Sequence, residues 1–182
     1  DYTNRGRIIT PLKDRFGSQI RTHYPLDVET EVAIARQEAR PFDLEGVRVD
    51  IPDHMAEIVA TLSQLARESP HVNQASGVSV RLTVANSEVL VANAIRRALR
   101  HGETEVVPRI TDLEALAAST SGKIEIETLE EGRDGQIIDQ LLRGAVLTTF
   151  REHVDLADLA GVVDAFEEAR AVDAGEDISS AA

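Results

Sequence analysis

Two arginines stand in this sequence where a positive charge could act on a phosphate group. Arg15 comes at the end of a predicted short helical stretch, around Ile8–Arg15, and precedes Phe16 and Gly17, a setting from which it can project from a subunit edge. Arg81 lies at the end of a polar loop that leads into the longest predicted helix. The planar guanidinium group presents several N–H donors that match phosphate oxygens. Both side chains are therefore candidates for binding a phosphate.

Each arginine also has a simpler interpretation. Arg15 and its neighbour Asp14 could form ordinary surface ion pairs, which contribute little to stability. Arg81 could pack its aliphatic stem on the start of the following helix. A cation at the positive end of a helix dipole is unfavourable, however, so this position favours an anionic partner.

The sequence lacks the other groups that an independent enzyme would need. Its one Gly-Lys pair, Gly122-Lys123, has Ala117 where a phosphate-binding loop needs glycine and Ile124 where it needs Ser or Thr. No apolar run ends in Asp-Glu, the pair that binds Mg²⁺ and activates water in such ATPases. The five histidines are scattered, there is no cysteine, and no serine lies in a Gly-x-Ser-x-Gly motif. We therefore predict no metal site and expect the isolated chain neither to bind ATP tightly nor to hydrolyse it.

Composition favours a helical protein with an acidic second half. Of the 182 residues 42% are apolar but only 3% are aromatic, so aliphatic side chains must build the core. Residues 1–101 carry 13 acidic and 13 basic side chains, whereas residues 102–182 carry 19 acidic and 6 basic ones. An acidic half repels nucleic acid and anionic lipid, so neither is an expected partner. The acidic half either keeps a helical surface solvated or forms a binding surface for a basic partner.

Targeting signals are absent from the sequence itself. No apolar run reaches the length that a membrane span needs. The chain begins at Asp1 without an initiator Met or a signal-peptide pattern, which we interpret as a cut or processing boundary of a cytoplasmic protein.

The elements that must position the two arginines follow from apolar periodicity, caps and breakers. Around Arg15 we predict a short strand, Ser18–Tyr24, which Pro25 ends. Asp27 is a suitable N-cap for the next helix. The predicted helices are Val28 to about Arg40, Pro52–Glu68, Leu82–Arg100 ended by Gly102, 109–119, Gln136–His153 and Leu156–Ala174, with a brief strand at Lys123–Leu129.

Apolar side chains at helical spacing mark the buried face of the second of these helices. They are Met55, Ile58, Val59, Leu62, Leu65 and Ala66. We expect Ile58, Leu62 and Leu65 to form a core with Leu90 and Ile95. Similar stripes lie on the last two helices: Leu141, Leu142, Ala145, Val146 and Phe150 on one, and Leu159, Val162, Val163 and Phe166 on the other.

The run Pro11-Leu12-Lys13-Asp14-Arg15-Phe16-Gly17 resembles a pattern of the magnesium-chelatase and MoxR-type AAA+ ATPases, in which an apolar residue and Leu precede Asp-Arg-Phe-Gly. The order of elements up to about residue 120 is similar as well, with a later Ser-x-Arg loop at Ser79–Arg81 before a long helix. The sequence departs from the family at Lys13, where an apolar residue is usual. The family's sensor-1 Asn is either replaced by Asn4 or lies outside the chain, and residues 121–182 match nothing in the family.

The resemblance implies a mainly α fold with three parts. Residues 1–41 would be the C-terminal remnant of the α/β ATPase core, 42–120 the helical lid domain, and 121–182 an acidic helical extension. Arg15 would be the arginine finger, acting in trans on ATP bound by the neighbouring subunit of a homo-oligomeric ring. Arg81 would be sensor 2, acting in cis on the phosphate of ATP, and the segment around Pro41 and Gly46 would be the hinge between core and lid.

ATP and Mg²⁺ are implied as cofactors of the longer protein, with none bound to this fragment. The client stays open, because such rings drive either metal insertion into a porphyrin with a chelatase partner subunit or the remodelling of other proteins. The alternative is a helical protein-interaction module with no nucleotide role. On that hypothesis Arg15 and Arg81 are silent and the acidic half is the functional surface.

Overall fold

The architecture is known from a computed structural model, which describes residues 14–18, 20–127, 132–168 and 178. Within these residues the protein is mainly helical, as the sequence predicts. In chain order the elements are α1 (Val28–Glu38), β1 (Arg48–Val49), α2 (Asp53–Glu68), α3 (Arg81–His101), β2 (Glu105–Val106), a 3₁₀ helix (Ile110–Ala115), α4 (Leu116–Ser121), α5 (Asp134–His153), a second 3₁₀ helix (Leu156–Leu159) and α6 (Ala160–Glu167). None of the described helices is long and apolar enough to cross a membrane.

Helix α2 lies at the centre of the fold. It packs most extensively on α5 and also contacts α1 and α3. The predicted apolar stripe of α2 is confirmed, because Ile58, Val59 and Leu62 are buried in the largest core cluster. Leu90 of α3 belongs to the same cluster, whereas Leu65 is partly buried at its edge. Ile95 is buried too, but in a separate cluster between α3 and β2.

The ends of the helices agree with local backbone chemistry. The Asp27 side chain accepts a 2.7 Å hydrogen bond from the Thr30 amide and caps α1, as predicted. Helix α3 ends at Gly102, whose φ of +69° is a left-handed conformation that glycine adopts without strain. Both ends were therefore predictable from single residues.

A short parallel pairing joins two segments that lie between the predicted helices. Arg48 and Val49 of β1 pair with Glu105 and Val106 of β2. The two-residue strands are too short to produce an alternating pattern. Their pairing nevertheless fixes the start of α2 beside the end of α3.

Several predicted elements near the chain ends and links differ from the structure. The strand at Ser18–Tyr24 was wrong, because Ser18 and residues 20–24 have no strand structure and are exposed. No described strand lies beside this segment, and a strand needs a partner to receive its backbone hydrogen bonds. The second predicted strand reaches beyond the described residues at 128 and 129; within 123–127 only Ile126 pairs, in an isolated antiparallel bridge with Val72.

The last predicted helix is shorter at its start than expected. A 3₁₀ turn occupies 156–159 and α6 ends at Glu167, while residues 169–174 lie outside the described part. Its apolar residues Val162, Val163 and Phe166 are exposed. Most of the Ile8–Arg15 helix lies outside the described residues as well, and Asp14 and Arg15 form a turn.

Candidate functional site

The structure places Arg81 at the first residue of α3, the longest described helix. Its backbone N–H and its Nε each donate a 3.3 Å hydrogen bond to the Ser79 hydroxyl. These contacts hold the base of the side chain while leaving Arg81 exposed. Arg81 thus lies where the sequence predicted it, at the end of a loop and at the start of a long helix.

The positive charge of Arg81 has no ion-pair partner among the described residues. The first turn of α3 carries no acidic residue, and no carboxylate of the described residues forms an ion pair with Arg81. The guanidinium therefore adds its charge to the positive end of the helix dipole. Such a position attracts an anion, and the donors of a guanidinium fit the oxygens of a carboxylate or a phosphate.

The loop before Arg81 is held by specific contacts. The Asn73 side chain accepts hydrogen bonds from the amides of Ala75 at 2.8 Å and Ser76 at 3.2 Å. The Ser76 hydroxyl donates to the Glu125 carboxylate. Gly77 adopts a φ of +69°, and Val78 is buried in the core. The loop therefore presents Arg81 in a defined position.

Arg15 lies in the exposed turn that precedes Gly17. Among the described residues no hydrogen bond or ion pair ties Arg15 to Asp14 or to Arg81. The structure thus leaves Arg15 on the surface and does not bring the two predicted site residues together.

A buried ion pair that the sequence analysis did not single out lies behind the Arg81 loop. Glu31 of α1 is fully buried, and both of its carboxylate oxygens accept 2.6 Å hydrogen bonds from Arg67 of α2. A third N–H of that guanidinium, on Nε, donates a 3.0 Å hydrogen bond to the carbonyl oxygen of Val78. One arginine thus joins α1, α2 and the loop that leads to Arg81.

Further contacts complete this Glu31–Arg67 cluster, which we define as Tyr24, Glu31, Ser63, Arg67 and Thr83. The Thr83 hydroxyl donates to the Glu31 carboxylate and lies 2.7 Å from the Ser63 hydroxyl. Because Thr83 has a single proton to give, Ser63 is the donor in the second contact. The Arg67 guanidinium carbon lies 4.7 Å from the centroid of the Tyr24 ring, a cation–π geometry.

A second buried pair lies at the other end of α3. Arg97 donates from Nη2 to Asp112 at 3.0 Å and to the Val107 carbonyl at 2.8 Å. Asp112 also accepts from the Arg109 amide at 2.9 Å. This pair fixes the connection after β2 and has no contact with the Arg81 loop.

One apolar cavity of the described region lies apart from the predicted site residues. A cavity of about 350 Å³ lies between α1 and α3, with apolar walls such as Val32 and Val91 and with Arg36 and Arg40 at its edge. Neither Arg15 nor Arg81 lines it. The described residues contain no group of three or more carboxylate or imidazole side chains that could hold a metal ion.

The Glu31–Arg67 cluster has a weak signature in the sequence. Glu31 falls at helical spacing with Val28, Val32 and Ala35, on the face of α1 that packs inward. A carboxylate on a buried face needs a cationic or hydrogen-bonding partner. The sequence pattern therefore indicates that Glu31 needs a partner, but it does not indicate which arginine is that partner.

The chain matches no known family model, and no curated protein or solved structure is significantly similar to it.

Proposed function

We propose that this chain is the C-terminal portion of a ring-forming AAA+ ATPase of the magnesium-chelatase and MoxR kind. In this proposal residues 42–120 form the lid, Arg81 is the sensor-2 arginine and Arg15 is the arginine finger. The observation that carries the proposal is the setting of Arg81: an exposed guanidinium, held at its base, at the positive end of the longest described helix and without a carboxylate partner among the described residues.

Arg81 would act within its own subunit. Its charge and its fork of donors suit the oxygens of a terminal phosphate, so the lid would change position according to whether that phosphate is present. The ordered loop from Asn73 to Val80 supports this role, because a sensor must move with the domain that it reports on.

Arg15 would act across a subunit boundary. An arginine supplied by a neighbour offsets the negative charge that spreads over the transferred phosphoryl oxygens, and such arginines raise rates by about 10³–10⁵. The exposure of Arg15 in a surface turn fits a side chain that acts on a neighbouring subunit.

ATP and Mg²⁺ are the cofactors that this proposal requires in the longer protein. The two arginines fit the phosphate groups, whereas the described residues offer no cluster of ligands for the metal. Bound Mg²⁺ neutralises phosphate charge, and we assign its ligands to the ATPase core that would precede Asp1. The client would be either a porphyrin metallation partner or a protein to be remodelled.

The rival function is a helical interaction module. The exposed apolar residues of α6, Val162, Val163 and Phe166, favour it, because they lie among the acidic residues Asp164 and Glu167. This surface suits a partner with basic and apolar side chains.

The deciding experiment starts from the reading frame upstream of Asp1. Phosphate-binding and Walker-B motifs there are the expected finding, and the protein that includes them should hydrolyse ATP. Arg81→Ala in that protein should abolish turnover, whereas Arg100→Ala, which removes an exposed arginine from the last turn of the same helix, should leave it unchanged. An upstream sequence without these motifs would favour the interaction module, whereas normal turnover in Arg81→Ala would contradict the sensor-2 role of Arg81.

A further inference from the structure

We propose that Glu31 and Arg67 are positioning residues for Arg81, and that they fasten Arg81 to the chain segment that follows Arg15. The proposal rests on the function proposed above for its catalytic consequence. Its structural part, the control of the Arg81 loop by the Glu31–Arg67 cluster, can be tested independently.

The first step is the orientation of the Arg67 guanidinium. Two parallel 2.6 Å hydrogen bonds to Glu31 fix both the position and the plane of this group. With the plane fixed, Nε can point in only one direction, toward the carbonyl oxygen of Val78 at 3.0 Å. Val78 lies three residues before Arg81, so Glu31 sets the position of the loop through Arg67.

The second step is the contact with α3 itself. Thr83, two residues after Arg81, donates its hydroxyl proton to the same Glu31 carboxylate. Glu31 therefore acts on both sides of Arg81: through Arg67 on the loop before it, and through Thr83 on the first turn of the helix after it. Arg81 is held between two contacts that share one buried carboxylate.

The third step leads toward Arg15. The Tyr24 ring covers the outer face of the Arg67 guanidinium. The Tyr24 hydroxyl lies so close to Gly77 that a Cβ atom there would collide with it. Through Tyr24, the segment after Arg15 thus contacts both Arg67 and the loop that leads to Arg81. In this proposal a movement of the segment that contains Tyr24 is transmitted to the loop before Arg81.

Hydrogen–deuterium exchange on the chain tests the structural part. A lysine presents one ammonium group and cannot donate to Glu31 and Val78 in fixed directions at once, so Arg67→Lys should loosen the loop. We expect amide exchange in residues 74–82 to quicken by about tenfold, the effect of losing one charge-assisted hydrogen bond.

Arg97→Lys is the matched control, because it alters a second buried ion pair, which joins α3 to the first 3₁₀ helix. It should quicken exchange in residues 105–112 and leave 74–82 unchanged. Tyr24→Leu, a change at a partly exposed side chain, should quicken exchange in 74–80 without unfolding the chain, and so serves if Arg67→Lys does not fold. Unchanged exchange in 74–82 for both Arg67→Lys and Tyr24→Leu would overturn the positioning role.

The catalytic consequence is tested in the full-length ATPase. Arg67→Lys should lower kcat about tenfold or more while the protein still binds ATP and still assembles, and Arg97→Lys should retain the wild-type kcat. A normal kcat in Arg67→Lys would overturn the link between the cluster and Arg81. A wild-type protein without ATPase activity would instead overturn the proposed function, and the exchange result would then define a purely structural cluster.

Discussion

At the residue scale, the two predicted site arginines differ in how the structure holds them. Arg81 is fixed at its base by Ser79 and sits at a helix start, where an anion would gain from both the guanidinium and the helix dipole. Arg15 is exposed in a turn. Under the proposed function, Arg81 would act within its own subunit and Arg15 on a neighbour, and the two variants would then behave differently in mixed rings.

Both Arg15→Ala and Arg81→Ala should abolish ATP turnover in the full-length protein. Mixing each variant with subunits that lack the Walker-B acid separates the two mechanisms. Rings containing Arg15→Ala should regain part of their activity, because a wild-type finger then faces an intact ATP site. Rings containing Arg81→Ala should stay inactive, since every site lacks either its own sensor or its metal ligand.

Steady-state ATPase assays over a range of mixing ratios give the measurement. Normal hydrolysis by homo-oligomers of Arg15→Ala would contradict the arginine-finger assignment. The simpler interpretation of Arg15 as a surface residue would then be preferred.

Gly77→Ala should destabilise the chain more than Gly46→Ala does. Both glycines have a positive φ, of +69° and +78°, so alanine strains the backbone at either site by about 1 kcal/mol. Only at Gly77 does the new methyl group also meet a side chain, the hydroxyl of Tyr24. The difference between the two urea midpoints measures the cost of displacing Tyr24.

A double variant tests whether Tyr24 causes the extra loss of stability in Gly77→Ala. Adding Tyr24→Leu to Gly77→Ala should recover part of the lost stability, because the obstacle is removed. Equal midpoints for Gly46→Ala and Gly77→Ala would show that Tyr24 does not rest on Gly77 in solution.

His153 should make the contact between α5 and α2 sensitive to pH. Its ring nitrogen is hydrogen-bonded to Glu57, and this bond, together with the negative charges of Glu57, Glu152 and Asp53, raises the pKa of His153 above its ordinary value. A raised pKa in the folded state means that the protonated form is the stabilising one. The contribution is complete below the unfolded-state pKa of about 6.5 and is lost as the pH rises through the higher folded-state pKa.

Urea unfolding of the wild type and of His153→Gln should therefore differ most below about pH 6.5 and converge as the pH rises through the folded-state pKa. The other four histidines are common to both proteins, so the difference isolates His153. A difference that grows with pH would contradict the assigned ion pair.

At the scale of elements, α2 organises the fold because its apolar stripe meets three helices. Its inward residues contact α5 on one side and α1 and α3 on the others. The Gly144 position of α5 allows this close packing, since a Cβ there would lie 3.2 Å from the Leu65 side chain. The helix that carries Arg67 is thus also the centre of the core.

Leu62→Ala should lower the free energy of unfolding by about 2–5 kcal/mol, because Leu62 is fully buried in the main cluster and the truncation leaves a cavity. Leu99→Ala is the control, as Leu99 is 59% exposed on α3. Chemical unfolding of both variants provides the comparison. If the free energy of unfolding falls no further in Leu62→Ala than in Leu99→Ala, the buried face of α2 is misassigned.

At the scale of the whole molecule, the Glu31–Arg67 cluster crosses the predicted boundary between residues 41 and 42. Removing one partner of a buried ion pair typically destabilises a protein by about 3–5 kcal/mol, which exceeds the 1–3 kcal/mol of a typical allosteric coupling. A lid movement of ordinary energy would therefore leave the pair intact. In the proposed ATPase, α1 would therefore move with α2 and α3, and the pivot would lie before Tyr24 rather than around Pro41 and Gly46.

The isolated chain should bind ATP no more tightly than the millimolar range. It has arginines for phosphate but neither a phosphate-binding loop nor a Walker-B pair, and these supply most of the contacts in such ATPases. Isothermal titration calorimetry with Mg-ATP measures this directly. A micromolar Kd would mean that the chain contains a nucleotide site of a different kind.

The sequence by itself determined the central helices α2 and α3 and two of the helix caps. The period of the apolar residues predicted α2 and α3 to within a residue or two, and Asp27 and Gly102 were identified as caps. Such features depend on contacts within a few residues, which the order of side chains specifies directly. The same local information placed Arg81 at the start of a long helix.

Only the tertiary structure decided which distant groups meet. Glu31 and Arg67 are 36 residues apart and Glu31 and Thr83 are 52 apart, and no local pattern connects them. The pairing of β1 with β2 and the absence of a strand at residues 20–24 have the same origin, since a strand exists only where another backbone receives its hydrogen bonds. Long-range partners follow from how the helices pack, and that packing minimises the free energy of the whole chain rather than of any single segment.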